Sequence, residues 1–102
     1  MRVLDVASGR AGDKGSTLDL TIAAADAEAY ARLAGWLSAE RVSEALGLDD
    51  SRRYELPGLR ALKFVCEGAL GQGPYGSLRA GMHWQKAAVW AVLAMEVNDG
   101  GG

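Results

Sequence analysis

Thr17-Leu18-Asp19-Leu20-Thr21-Ile22-Ala23 alternates without a break. Leu18, Leu20 and Ile22 fall on one side of an extended chain, and Thr17, Asp19, Thr21 and Ala23 on the other. This is the period-2 pattern of a strand with one face on a core and one towards water. A sheet is therefore part of the fold.

Upstream, residues 3–7 alternate weakly and predict a short strand. They run into Ser8-Gly9-Arg10-Ala11-Gly12-Asp13-Lys14-Gly15-Ser16, whose glycines predict an exposed loop. Downstream, Asp26 is placed to cap a helix over 27–37, with Tyr30, Leu33, Ala34 and Leu37 at helical spacing. Ser38 can cap a second helix over 39–46, with Val42, Ala45 and Leu46 on one side and Gly47 to end it. Arg53-Tyr54-Glu55-Leu56 leads into a Pro57-Gly58 turn, and 59–66 is apolar enough for a well-buried strand. A second glycine-rich segment, 68–76, predicts a loop held close to a ligand or to another backbone. Residues 85–97 close the chain as a helix that is apolar nearly all round, which points to contact with another chain unless the sheet or the paired helices cover it. Residues 98–102 form a glycine-rich tail expected to be disordered, so 1–97 is expected to be one domain.

A net charge of −2 with evenly mixed signs leaves no footprint for phosphate backbones, so nucleic acid is not an expected partner. Cys66 is the single cysteine, which excludes an internal disulfide or a thiolate metal site and fits a cytoplasmic setting. The first residues are too soon charged for a secretory segment, and the longest apolar run, 87–95, is about half a membrane span. No membrane association, metal or cofactor is expected.

Four motifs carry possible chemistry. Asp13-Lys14-Gly15-Ser16 resembles a phosphate loop, but Asp13 separates Gly12 from Lys14, so the Walker order fails. A looser possibility is an anion nest of backbone N–H groups over 12–16 with Arg10 and Lys14 nearby, against a plain glycine turn. Gly71-Gln72-Gly73-Pro74-Tyr75-Gly76 has the letters of a dinucleotide fingerprint without the strand and helix it requires. His83 has no carboxylate nearby in sequence to orient it and reads as a packing or surface residue. Glu67, directly after the expected strand and before Gly68, is a candidate for proton transfer, against an ordinary exposed acid. Trp36, Trp84 and Trp90 are too scattered for a stacking platform and read as core or interface.

Five segments, in order, resemble a known family. They are Arg10-Ala11-Gly12-Asp13-Lys14-Gly15 before the alternating strand, Leu37-Ser38-Ala39-Glu40-Arg41-Val42, Arg53-Tyr54-Glu55-Leu56-Pro57, Glu67-Gly68-Ala69-Leu70-Gly71-Gln72-Gly73, and Ser77-Leu78-Arg79. Together they are similar to the C-terminal domain of the AtuA (acyclic terpene utilisation) family, here as a stand-alone chain. The resemblance implies an α+β, ferredoxin-like sandwich: a mainly antiparallel sheet of about four strands with helices on one face. It also implies association with an AtuA-like large subunit in the degradation of branched or terpenoid acyl-CoA compounds. The family pattern has serine at Ala11, aspartate at Ser16, asparagine at Asp19 and Lys63, and histidine at Glu67, so this chain departs at each of those positions.

The expected function is a small subunit of a lyase- or hydratase-like complex, not active alone, that helps form an acyl-CoA or carboxylate-handling site. Asp13, Lys14 and Glu67 are the candidate catalytic residues, and Arg10, Gly12, Gly15, Ser16, Gly71, Gly73 and Arg79 the candidate substrate-binding ones. The alternatives are a self-contained homo-oligomeric enzyme and a purely structural assembly module.

Overall fold

The structure, a computed structural model, describes residues 1–69 and 82–98. The alternating stretch forms β2 (Thr17–Ala24), as its pattern requires. Its partner is not the strand expected at 3–7. Residues Val3–Asp5 make a single 3-10 turn, and β1 spans Ala7–Lys14. The glycine-rich stretch expected to be a loop is thus a strand. It pairs with β2 from Ala7↔Ala24 to Lys14↔Thr17, closed by a two-residue turn in which Gly15 takes φ 63°. A glycine at the first turn position provides the primed hairpin geometry that matches the strand twist.

Helices α1 (Ala27–Ala34) and α2 (Ala39–Leu46) follow. Asp26 Oδ1 accepts from the Ala29 N–H at 2.8 Å and Ser38 Oγ from that of Arg41 at 3.1 Å, so both expected caps form. Helix α1 stops three residues short of the expected end. Gly35 follows it, and Arg53 Nη1 reaches in to donate to Ala34 O at 2.7 Å and Leu37 O at 3.1 Å, satisfying carbonyls that a continuing helix would have used.

Strands β3 (Arg52–Leu56) and β4 (Ala61–Cys66) form the second hairpin. Residues 59 and 60, expected within the buried strand, belong to its connection: Pro57–Leu59 is a 3-10 turn, Leu59 is 73% exposed, and Arg60 has φ 51°. Helix α3 spans Met82–Leu93, earlier than expected at both ends. Met95 to Val97 instead run beside the start of the chain, with Val3 N–H donating to Met95 O and Val97 N–H to Met1 O. The expected frayed tail lies outside the described residues from 99 onwards.

All strand pairs are antiparallel and the sheet order is β1-β2-β4-β3. This is a ferredoxin-like α+β arrangement. The helices lie on one face, where Leu18, Leu20 and Ile22 of β2 and Leu62, Phe64 and Cys66 of β4 join Leu33, Val42, Leu46 and Val92 in one buried cluster. The sheet thus covers the inner side of α3 through Ala88, Val89, Val92 and Leu93, but Trp90 remains 53% exposed.

Burial, with the Asp19 charge adding to it, pushes the Cys66 thiol up to about 11. The folded thiol titrates above the unfolded one, so its contribution to stability is complete below the ordinary thiol range and is lost as pH rises through about 11. At pH 8 the native chain should react with a thiol reagent ~100-fold more slowly than in denaturant, because thiolate is the reactive form. Equal rates would show that the thiol is accessible.

Candidate functional site

Residues opposite one another in an antiparallel sheet share a face. On the face away from the helices, the registers therefore set Arg10, Thr21, Lys63 and Tyr54 in one row across all four strands. Gly12, Asp19, Val65 and Arg52 form the next. Lys63 Nζ lies 3.2 Å from Asp19 Oδ2, diagonally between the rows, with both side chains about 40% exposed. A pair this exposed adds little stability. What it does is fix the position of one cation on the face.

At the end of these rows Lys14 pairs with Thr17, and Glu67 follows directly on Cys66, which pairs with Leu18. The start of the second glycine segment therefore lies at the same sheet end as the β1–β2 turn. Glu67, the first residue of the turn after β4, lines a cleft with Arg52 and Val65 of the open face, and position 14 falls on that face at the same sheet end. Asp13 does not join them. It pairs with Leu18 and takes a position on the opposite face. Over 12–14 the ladder turns alternate backbone groups towards β2, so the N–H groups of these three residues do not converge as a nest would need. Gly15 and Ser16 form the exposed turn, and Arg10 is exposed mid-face. Gly71, Gly73 and Arg79 lie outside the described residues.

Two contributors were not singled out as site residues by the sequence. Arg52 and Tyr54 alternate on β3, and Tyr54 is 48% exposed. A hydrogen bond to Tyr54 and the charge of Glu67 hold the Arg52 guanidinium above its ordinary range. With Asp50, Ser51, Val65 and Glu67, Arg52 lines a cleft of about 170 Å³. That is below the ~300 Å³ at which pockets begin to enclose a drug-sized ligand, and Asp50 and Glu67 set two carboxylates against the one guanidinium there. Lys63 completes the set. The period-2 polarity of β2 was the available clue, since whatever pairs beside Asp19 and Thr21 must share their face.

A family model described as the AtuA ferredoxin-like domain matches residues 1–98. The chain belongs to that family. Its match spans both hairpins, all three helices and the closing residues 95–97, so the AtuA ferredoxin-like domain accounts for the whole described fold. Neither the curated proteins nor the solved structures give a match to set beside it. Among the described residues of this AtuA ferredoxin-like domain, no helix is long and apolar enough to cross a membrane.

Proposed function

We propose that this domain is a small cytoplasmic subunit that docks its open sheet face on an AtuA-like large subunit and helps form an acyl-CoA or carboxylate-handling site. The observation that carries the reading is the charge on that face. Arg10, Arg52 and Lys63 cross that face in adjacent rows, with Lys63 beside Asp19 and Arg52 beside Glu67 and Asp50, in a chain whose net charge is −2. A band of closely set opposite charges offers a partner surface complementary ion pairs, and with Tyr54 exposed beside it the face offers an aromatic anchor as well. A substrate carboxylate would be held beside Arg10, away from the two carboxylates of the Arg52 cleft, and the remainder of an acyl chain would lie against the partner. On this reading the chain is part of a lyase- or hydratase-like complex and is inactive by itself.

Size exclusion with light scattering tests it. The chain should co-elute with its large subunit at micromolar concentration, and Arg10→Glu with Lys63→Glu should abolish co-elution while the chain stays folded. Separate elution of the unmodified chain overturns the reading.

The juxtaposition of positions 14 and 67 at one sheet end supports a second reading, a self-contained homo-oligomeric enzyme. Activity of the isolated chain that is lost in Lys14→Ala and in Glu67→Ala would favour it.

A further inference from the structure

The two edges of the sheet are built differently. Strand β3 is five residues long, carries Arg52, Arg53 and Glu55, and stops at Pro57, all devices that discourage pairing with another chain. Strand β1 has none of its length limits. It runs for eight residues without proline or bulge, its register with β2 is unbroken, and Ala7, Ser8, Gly9, Ala11 and Gly12 leave its outer side uncluttered. Among the described residues no strand pairs with that side.

The hairpin fixes which backbone groups are free. The pair flanking a two-residue turn, Lys14 with Thr17, exchanges both hydrogen bonds, and alternation then turns Gly12, Arg10 and Ser8 towards β2. The N–H and C=O groups of Ala7, Gly9, Ala11 and Asp13 point outwards.

We propose that a second copy of this chain pairs antiparallel along β1, about a two-fold axis through Ala11. An isologous contact matches a surface to itself, so the sequence of β1 must be compatible with its own reverse. Keeping both helix layers on the same side requires residues of like parity to oppose one another. A pairing centred on Arg10 would set Arg10 against Arg10, and one centred on Gly12 would set Arg10 against Lys14; like charges directly opposite are destabilising. The pairing centred on Ala11 sets Arg10 opposite Gly12, Lys14 opposite Ser8 and Gly9 opposite Asp13. It also brings the outward groups of Gly9, Ala11 and Asp13 onto those of Asp13, Ala11 and Gly9.

Helix α3 adds a second contact. Val89 and Leu93 face Gly9, and Ala88 and Val92 on the other flank are buried in the core. Trp90, about 100° round the helix from Val89, falls on the flank beyond β1 and is 53% exposed. Strand pairing would bring the two tryptophans over the joined edge. This interface leaves the open face free, so it stands or falls independently of docking on a large subunit.

Light scattering on the chain alone is the test. At about 100 µM, where micromolar pairing is largely complete, the mass should be that of two chains. A Cβ at Gly12 meets nothing within 4 Å, so Gly12→Glu and Gly12→Lys can both fold; in its own chain the new charge stands opposite Asp19, which favours the lysine, whereas in the pair it sets an anion or a cation opposite Arg10 of the other copy. Two such contacts per dimer should make Gly12→Glu pair about tenfold more tightly than Gly12→Lys. Ala11→Pro, which removes an outward donor and none from the β1–β2 ladder, should be folded and of single-chain mass. A single-chain mass for the unmodified protein at that concentration overturns the proposal. So does equal pairing by the two Gly12 variants, or a dimer that survives in folded Ala11→Pro.

Discussion

Gly9→Val should lower stability by about 2–3 kcal/mol, the cost of overpacking a close contact, and bring the melting temperature down by ~10 °C or more. Gly9 lies on the helix-side face of β1, where a Cβ would stand 2.6 Å from Val89 Cγ2 and 3.3 Å from Ile22 Cδ1. Valine at 89 cannot easily turn aside, because a β-branched side chain in a helix is held to one rotamer. Either α3 lifts off the sheet or the strand bends. Gly12 provides the control: it is three residues along the same strand, and a Cβ there meets nothing within 4 Å, so Gly12→Ala should be neutral or gain about 0.5 kcal/mol. Urea titration of both variants, and of Gly9→Val with Val89→Ala, checks the assignment. The double variant should recover part of the loss. Equal stability of Gly9→Val and the parent would mean that α3 does not pack on β1 as described.

Phe64→Ala should cost about 3–5 kcal/mol. Phe64 is fully buried on β4, a central strand, opposite Leu20 on one side and Arg53 on the other. Its ring fills the space between sheet and helices, and the neighbours that would have to close the gap are held by strand pairing on both sides. A domain of this size has about 5–15 kcal/mol in all, so the substitution removes a large fraction. Phe64→Leu should cost much less. In urea the midpoint should fall with little change in slope; an unchanged midpoint would place Phe64 outside the core.

Much of this core can be read from the residues. Leu18, Leu20 and Ile22 announce β2 because each is large, apolar and separated by a polar neighbour, and Asp26 and Ser38 mark their helices because orphan N–H groups select such side chains. Strand β1 is hidden for the same physical reason that makes Gly9 sensitive. Its helix-side positions, Gly9, Ala11 and Asp13, contain no large apolar residue because α3 approaches too closely to admit one at Gly9. Without side chains to show the period, a strand looks like a glycine loop. The end of α1 was hidden differently, since Arg53 caps it from far along the chain.

The candidate site was legible one residue at a time but not as a group. Arg10, Lys14 and Glu67 are visible as charged residues beside glycines. Nothing in the linear order says that Lys14 and Glu67 lie at one sheet end while Asp13, adjacent to Lys14, takes the other face. Arg52, Tyr54 and Lys63 join them only through the β3–β4 and β2–β4 registers.

The clasp between residues 1–3 and 95–97 has a topological meaning. With the Met1 amine 2.9 Å from Glu96 Oε2 and Arg2 bridged to Glu96, residues 1–3 and 95–97 lie side by side and the elements close into a loop in space. Reading from β2 instead gives strand, helices, two strands, helix, strand, which is the usual ferredoxin-like order with β1 as its last member. The domain is in effect a circular permutant. A chain joined across the clasp and opened at the Gly15-Ser16 turn would keep every strand register described above.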